Sequence, residues 1–364
     1  MPETLQTYRK WLLPISYLYG MGVRIRNLLF DLNILKSKSY DLPIICVGNL
    51  AVGGTGKTPH IEQIIRILQK EGLHIAMLSR GYKRKTSGFV IANADSTAHD
   101  IGDEPYQMLR KFSDITIAVD AHRRHGIEQL LKQQSPKIDV ILLDDAYQHR
   151  YVKAGMNILL TDYNHLFTDD LLLPAGNLRE PIVEKERAHI VIVSKCPANT
   201  KPIDFNITGK KLNLYPYQRL FFSGIRYGDL QPLYPQQAAP RQLSSLSRDE
   251  QILLLTGIAN AESMVNQLNS LSPTVQHLAY PDHYSYKKKD IQLVEQTFRK
   301  MSGEKKIIIT TEKDAARLVG KTQMAEALQP YVYVLPIEPE ILQNQTEIFN
   351  HQIISYVRTN KRNC

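Results

Sequence analysis

The sequence predicts an α/β protein of two lobes, in which a larger, mostly parallel sheet is followed by a smaller α/β unit. Short apolar runs alternate with segments of helical spacing through residues 39–205, which is typical of a parallel sheet with helices on both faces. The same alternation resumes after residue 241. A length of 364 residues also suits two domains of about 150 residues each.

The composition is that of an ordinary globular protein, with 43% hydrophobic and 22% charged residues, and it excludes a disordered chain, a fibre or a collagen. The net charge of +9 favours partners that carry phosphate, although it can equally serve solubility alone. Cys46, Cys196 and Cys364 are far apart and have no metal-ligand spacing, so a reducing compartment is expected rather than disulfides or zinc. We expect no ordinary transmembrane helix and no cleaved signal peptide.

Residues 1–38 predict an amphipathic helix at the N-terminal end. Thirteen uncharged residues, among them Trp11, separate Lys10 from Arg24, and Pro14 is expected to break or start the helix. Beyond the proline, apolar residues recur at helical spacing: Leu18, Met21, Ile25, Leu28, Leu29, Leu32 and Leu35. Such a helix either lies in a membrane interface with its basic flanks on anionic lipid, or packs its apolar stripe on the protein core. The pattern leaves both alternatives open.

A glycine-rich segment lies between a predicted strand at 43–47 and a predicted helix. The segment comprises Ala51, Val52, Gly53, Gly54, Thr55, Gly56, Lys57 and Thr58. This context predicts a phosphate-binding loop, because glycines let backbone N–H groups converge on phosphate oxygens at a helix N-terminus. Lys57 is expected to bridge the β- and γ-phosphates of a nucleotide, and the Thr58 hydroxyl to hold Mg²⁺. Ala51 departs from the usual pattern, which begins with glycine.

Two carboxylates, Asp144 and Asp145, follow the apolar run 140–143. They emerge at the carboxyl end of a predicted strand, which is the edge where open α/β sheets bind ligands. A carboxylate there can hold Mg²⁺ directly or through water, although one of the pair can instead form an ion pair with Arg150 or Lys57. Together with the glycine-rich loop, these carboxylates predict a P-loop NTPase-like core.

The remaining elements complete the predicted organisation. Further strands of the core are predicted at 74–78, 115–119, 157–161 and 189–193. Residues 211–235 alternate apolar and polar positions and are rich in aromatic residues, which indicates antiparallel strands. We therefore divide the chain into an N-terminal helix, a P-loop core, a β connector and a C-terminal α/β lobe, at 1–38, 39–205, 206–240 and 241–364.

Polar clusters in the core could select a substrate. Residues 79–85 hold four basic side chains beside Tyr82, which suits either an anionic substrate or a solvated turn. Asp103 opens a predicted helix, where it is either a general base or a plain N-cap. A Pro/Gly-bounded loop carries Arg179 and Glu180, which either position a ligand or form a salt bridge.

Two further segments contain histidine. Residues 122–125 follow a predicted strand at the same sheet edge and include Arg124. Asp282 and His283 lie in a loop of the C-terminal lobe. A loop histidine can titrate near neutrality and couple to a carboxylate, or it can simply lie on the surface.

Nine segments in order resemble those of one known family: residues 47–59, 79–85, 102–105, 119–124, 144–150, 172–181, 256–262, 281–286 and 310–318. Through them the chain is similar to the tetraacyldisaccharide 4′-kinases, the lipid A 4′-kinases of the bacterial inner membrane. The phosphate-binding loop alone does not identify this family, whereas the ordered set does. Ala146, Tyr147 and Asn177 depart from the usual family residues, and they change local shape rather than charge.

The resemblance implies transfer of the γ-phosphate of ATP, with Mg²⁺, to the 4′-hydroxyl of a tetraacylated glucosamine disaccharide 1-phosphate. It implies that Asp103 is the catalytic base, that His283 is its partner in a dyad, and that Lys57 serves the triphosphate. The implied metal site comprises Thr58, Asp144, Asp145 and Glu180. The residues implied to face the lipid headgroup are Arg80, Tyr82, Arg124 and Arg179. The family also begins with a membrane-associating helix, which implies a peripheral or monotopic enzyme on the cytoplasmic face of the inner membrane.

Two other function classes were weighed. A P-loop ATPase or GTPase switch would act through a protein partner, and residues 311–314 come close to a guanine-recognition signature but lack Asn or Thr directly before Lys313. A nucleic-acid-binding ATPase would suit the net charge of +9. No familiar nucleic-acid module is found in the sequence, so no nucleic-acid partner is expected.

Overall fold

The computed structural model describes residues 3–133, 135–282, 284–321 and 324–361, which form two sheets with flanking helices. Strands and helices are numbered in chain order. The larger sheet has nine strands: β1 (Ile44–Asn49), β2 (Ile75–Ser79), β3 (Val90–Ile91), β4 (Thr116–Val119), β5 (Val140–Asp144), β6 (Met156–Asp162), β7 (Ile190–Ser194), β8 (Arg219–Tyr227) and β14 (Ile337–Ile341). The smaller sheet has five: β9 (Gln231–Pro232), β10 (Gln251–Thr256), β11 (Val275–Ala279), β12 (Lys306–Thr311) and β13 (Val332–Leu335).

The α-helices in the described ranges follow the same numbering. They are α1 (Glu3–Asp31), α2 (Lys57–Lys70), α3 (Ala98–Ile101), α4 (Asp103–Lys111), α5 (Arg123–Leu131), α6 (Pro202–Leu212), α7 (Glu262–Leu271), α8 (Lys288–Lys300), α9 (Glu312–Lys321) and α10 (Thr346–Lys361). The predicted mixed α/β architecture with a large parallel sheet and a smaller second sheet is confirmed.

The order of the large sheet places the predicted site motifs side by side. Reading across the sheet, the order is β14-β8-β7-β6-β1-β5-β2-β4-β3. Strand β1 pairs in parallel with β5, with Val47 opposite Asp144, so the phosphate-binding loop and the paired aspartates leave the sheet at the same edge. Both strands are buried along their whole length, because helices cover the two faces, and this explains why their sequences are continuously apolar.

Helix α1 differs from the sequence expectation in two ways. It runs through Pro14 without interruption, so the prediction that this proline breaks or starts a helix is wrong. An interior proline costs a helix about 3 kcal/mol, and residues beyond it tie α1 to the protein, such as Tyr19, which donates to the Arg179 carbonyl at 2.8 Å. The apolar stripe also points away from the core, with Leu18 66% and Met21 54% exposed. The alternative in which this stripe packs on the core is therefore not what the structure contains.

The stretch 206–240, for which the sequence predicts a β connector, is divided between other elements. Its first residues belong to α6, which the sequence analysis did not predict. Strand β8 then extends the large sheet in parallel with β7 and pairs antiparallel with β14, while β9 joins the small sheet. Alternation indicates a half-buried strand but not the partner it pairs with, and β14, which contains Pro339, carries little strand signal of its own.

Two short links connect the sheets. Residues 228–230 lead from β8 to β9, and Pro336 leads from β13 back to β14. The backbone N–H of Gly228 donates to the carbonyl oxygen of Pro336 at 3.0 Å, so the links lie side by side.

Candidate active site

The glycine-rich loop lies at the N-terminus of α2 with its backbone exposed. Gly56 is the N-cap in a left-handed conformation (φ 80°), and Gly53 has φ 110°. A Cβ added to Gly53 or Gly54 would meet no described atom within 4 Å, so the loop faces open space. Exposed N–H groups at a helix N-terminus form an anion-binding site.

Hydrogen bonds from neighbouring segments hold the loop in place. The Asn49 side chain donates from Nδ2 to Thr55 Oγ1 at 3.0 Å. Ala51 pairs in a short antiparallel bridge with Leu178, and the N–H of Val52 donates to the Asn177 carbonyl at 2.8 Å. Ala51 therefore lies in extended backbone, which explains why this position does not require the glycine of the usual pattern.

Lys57, Asp145 and Arg179 form a charged cluster beside the loop. Lys57 Nζ lies 3.7 Å from Asp145 Oδ1 and 3.3 Å from Asn49 Oδ1. Arg179 donates from Nη2 to Asp145 Oδ1 at 2.8 Å. Burial works to raise the pKa of Asp145, but Lys57 and Arg179 outweigh it and hold this pKa below its ordinary value. The sequence left open an ion pair between Lys57 and one of the two aspartates, and in the structure this pair forms with Asp145.

Asp144 lies in a different environment from its neighbour. Its Oδ2 accepts a hydrogen bond from Ser79 Oγ at 2.9 Å, whereas its buried Oδ1 has no hydrogen-bond partner among the described residues. Burial, and then the charges of Glu104 and Asp145, raise the pKa of Asp144 to about 7. A buried carboxylate oxygen that lacks a donor suits a cation, so Asp144 fits the predicted magnesium site.

Glu180 is buried and engaged with other side chains. Its Oε2 pairs with Arg187 and accepts from Gln148 Nε2 at 3.3 Å, and its Oε1 accepts from Asn27 Nδ2 at 3.4 Å. Gln148 also donates to the Asn49 carbonyl at 2.9 Å, which joins Glu180 to the base of the phosphate-binding loop.

Across the described ranges, no three His, Cys, Asp or Glu side chains form a cluster that could hold a metal ion by itself. Mg²⁺ usually takes one or two carboxylates and completes its shell with phosphates and water, so two aspartates suffice.

Asp103 is the first residue of α4, and the N-cap is Gly102 rather than Asp103 as the sequence suggested. Gly102 has φ 94°, and a Cβ there would lie 3.1 Å from the Tyr82 carbonyl oxygen, so a glycine is needed where α4 meets the 79–85 loop. Asp103 Oδ2 accepts a hydrogen bond from Arg317 Nε at 3.2 Å. His283, the predicted partner of Asp103, lies outside the described residues.

The residues predicted to face a lipid headgroup are mostly exposed. Arg80, Tyr82 and Arg124 are all accessible, and Tyr82 is 63% exposed. Arg80 contributes to a positively charged region around His149. Burial, followed by the charges of Arg123, Arg26, His122 and Arg80, lowers the pKa of His149 to about 4. Arg123 lies within residues 122–125, which the sequence places at this sheet edge, and His149 lies within the recognised segment 144–150. Nothing in the sequence of α1 pointed to a role for Arg26 at this site.

Helix α1 contacts the two loops that carry these groups. Tyr19 donates from its hydroxyl to the Arg179 carbonyl at 2.8 Å, and Ser16 Oγ accepts from the Ala175 N–H at 2.9 Å. Arg26 donates to the Gln148 carbonyl at 3.0 Å. The opposite face is apolar and exposed, with Trp11 79% exposed. Among the helices of the described ranges, none combines the length and apolar character needed to cross a membrane.

Comparisons with known proteins agree along the whole chain. The family model for tetraacyldisaccharide-1-P 4′-kinase matches residues 8–358. A tetraacyldisaccharide 4′-kinase from Bacteroides fragilis is 54% identical over 100% of this chain and 97% of its own length. The protein of the same name from Flavobacterium johnsoniae is 45% identical over 97% of this chain and 98% of its own length. A crystal structure of LpxK from Aquifex aeolicus in complex with ATP has a TM-score of 0.72 and 28% identity, and the match covers 96% of this chain and 99% of that one.

Proposed function

The chain belongs to the tetraacyldisaccharide-1-P 4′-kinase family, and from this premise we propose how its residues carry out the reaction. The protein is an ATP-dependent kinase of lipid A biosynthesis, and a nucleotide-dependent protein switch is not favoured. The observation that carries the residue assignments is the common edge of β1 and β5, where Lys57 Nζ lies 3.7 Å from Asp145 Oδ1.

The phosphate-binding loop and its neighbours would bind the triphosphate. The loop 51–58 presents its N–H groups to the phosphates, and Lys57 neutralises charge at the β- and γ-phosphates. Mg²⁺, when bound, would supply further charge neutralisation between the phosphates. The residues that would hold it are Thr58, Asp144, Asp145 and Glu180. Support for a cation comes from the unpartnered buried Oδ1 of Asp144.

Asp103 would accept the proton of the attacking sugar hydroxyl. The 4′-oxygen forms a bond to the γ-phosphorus, the bond from this phosphorus to the β–γ bridging oxygen breaks, and ADP leaves. The hydroxyl proton passes to the Asp103 carboxylate, which is a base of suitable chemistry on the first turn of α4. We keep His283 as a proposed partner of Asp103.

The anionic headgroup would be held by the positive region around His149. Arg80, Tyr82 and Arg124 are accessible, and Arg179 pairs with Asp145 beside the phosphate-binding loop. Burial, and then the positive charges of Arg123, Arg26 and Arg80, lower the pKa of His149, and those charges support the proposal. A phosphate-bearing substrate would balance that charge.

Membrane association would use the outward face of α1. An aromatic and aliphatic stripe that includes Trp11, Leu18 and Met21 is exposed there, and basic residues flank it. The inward face of the same helix bonds to the active-site loops. We propose that the protein binds peripherally or monotopically at the cytoplasmic face of the inner membrane, where an acylated substrate is available.

Transfer of label from γ-labelled ATP to tetraacyl disaccharide 1-phosphate, in mixed micelles with Mg²⁺, tests these assignments. Lys57→Ala is expected to abolish labelling, since it removes charge at the β- and γ-phosphates. Lys70→Ala, in the exposed last turn of the same helix, is the matched control and should label normally. Normal labelling by Lys57→Ala would contradict the assignment of the loop.

A further inference from the structure

A nearly buried arginine of the smaller lobe reaches Asp103 in the larger lobe. Arg317, on α9, has a side chain only 7% exposed, and its Nε donates to Asp103 Oδ2 at 3.2 Å. We infer that Arg317 is a positioning residue that fixes the orientation of the Asp103 carboxylate when the two lobes are together. This inference rests on the proposed role of Asp103 as the base.

Arg317 is itself rigidly held. Its Nη1 donates to the Gly257 carbonyl at 3.1 Å and to Asp314 Oδ1 at 3.2 Å. Asp314 in turn accepts from the Gly257 N–H at 2.9 Å and from Thr311 Oγ1 at 2.6 Å. The guanidinium plane is thus fixed by its own lobe before it meets Asp103, so little conformational freedom is lost when the pair forms.

Asp103 faces both signs of charge. Glu104 lies beside it on α4, while Lys313 and Arg317 approach from α9, with Asp314 behind Arg317. Arg317 therefore fixes the direction in which the Asp103 carboxylate points, as a positioned base requires.

The same interface contains pairs that do not include Asp103. Lys313 Nζ lies 3.4 Å from Glu104 Oε1, and Lys111 Nζ lies 2.5 Å from Glu312 Oε1. These pairs also join α4 to α9, so their loss would loosen the interface without touching the base. Lys313→Gln is therefore the matched control for Arg317→Gln.

The test compares Arg317→Gln, Arg317→Lys and Lys313→Gln in the full-length protein, with thermal unfolding as the check on folding. Arg317→Gln is expected to lower kcat by about 10- to 100-fold with an unchanged KM for ATP. Arg317→Lys should recover part of kcat, and Lys313→Gln should resemble the wild type. Equal losses of kcat in Arg317→Gln and Lys313→Gln would overturn the inference.

A double substitution separates this inference from the proposed function. If Arg317 acts through Asp103, then Asp103→Asn combined with Arg317→Gln should have the same kcat as Asp103→Asn alone. Multiplied losses in the double variant would refute the positioning role while leaving the base assignment intact. Near-normal kcat in Asp103→Asn alone would instead overturn the base assignment, and with it the inference.

Discussion

Asn27 of helix α1 donates a hydrogen bond from Nδ2 to Oε1 of Glu180 over 3.4 Å, and both side chains are buried. The N-terminal helix is thereby joined to a carboxylate that we propose for the metal site. Together with the bond from Tyr19 to the Arg179 carbonyl, this makes α1 part of the support of the proposed active site, as well as the helix that we propose binds the membrane.

Asn27→Ala is expected to lower kcat several-fold without reducing membrane binding. The substitution removes a donor to Glu180 and leaves that oxygen less well paired, a loss of about 1 kcal/mol for one buried hydrogen bond. The measurement is kcat in mixed micelles, beside sedimentation with phospholipid vesicles. Loss of vesicle binding with an unchanged kcat would contradict the expected division between the two faces of α1.

Substitutions on the outward face of α1 should reduce membrane binding. Replacing Leu18 and Met21 with serine removes exposed apolar area, so less of the protein should sediment with anionic vesicles. Thermal unfolding should change little, because both side chains are exposed. Leu293→Ser, at an exposed leucine of α8, is the control and should sediment like the wild type. Undiminished sedimentation of the α1 variant would argue against membrane contact through this face.

Asp103→Ala is expected to reduce kcat by about 10²- to 10⁴-fold, the usual contribution of a positioned acid–base group. ATP affinity should change little, since Asp103 is not part of the phosphate-binding loop. Single-turnover transfer with ATP binding measured separately checks both expectations. A matched loss of ATP affinity would point to a role in nucleotide binding instead.

His60 makes the stability of the core depend on pH. Its Nδ1 donates to the Gly56 carbonyl at 2.7 Å and its Nε2 lies 2.9 Å from Ser223 Oγ, so the buried ring is neutral. Burial lowers its pKa from 6.5 to about 4, although the bond to Gly56 opposes this shift. Between those values the unfolded chain binds a proton that the folded chain does not. Stability should therefore fall as pH drops from 6.5 towards 4, by at most about 3 kcal/mol.

Thermal unfolding at about pH 7.5 and pH 5 measures this effect. His60→Gln should lose less stability between the two pH values than the wild type, because glutamine can donate to Gly56 but does not titrate. His351→Gln, at an exposed histidine of α10, should retain the wild-type difference. An identical pH difference in the wild type and His60→Gln would exclude His60 as the source.

The sequence was most informative where structure follows from neighbouring residues. Buried parallel strands are continuously apolar, so β1 and β5 were predicted, and the turn chemistry of Gly53 and Gly56 revealed the phosphate-binding loop. Thr311 bonds to Asp314 at the start of α9, where its Oγ1 donates to Asp314 Oδ2 and accepts from the Asp314 N–H.

The contacts that could not be predicted join residues far apart in the chain. Nothing local to Asp103 or Arg317 indicates that they meet across two lobes. The pairing of β8 with β14 and the docking of α1 beneath Glu180 depend in the same way on how distant elements pack. Such pairings arise from packing, so neither the spacing of apolar residues nor the turn-forming residues can predict them.

The paired links at Gly228 and Pro336 restrict how the two lobes can move. A body attached through two adjacent points can turn about the line between them, but it cannot slide along its neighbour. We therefore expect any motion of one lobe against the other to be a rotation about this line. The separation of Arg317 and Asp103, which belong to different lobes, would change with the angle of that rotation. A pair of spectroscopic labels, one near each end of this contact, would read the angle directly as a single distance.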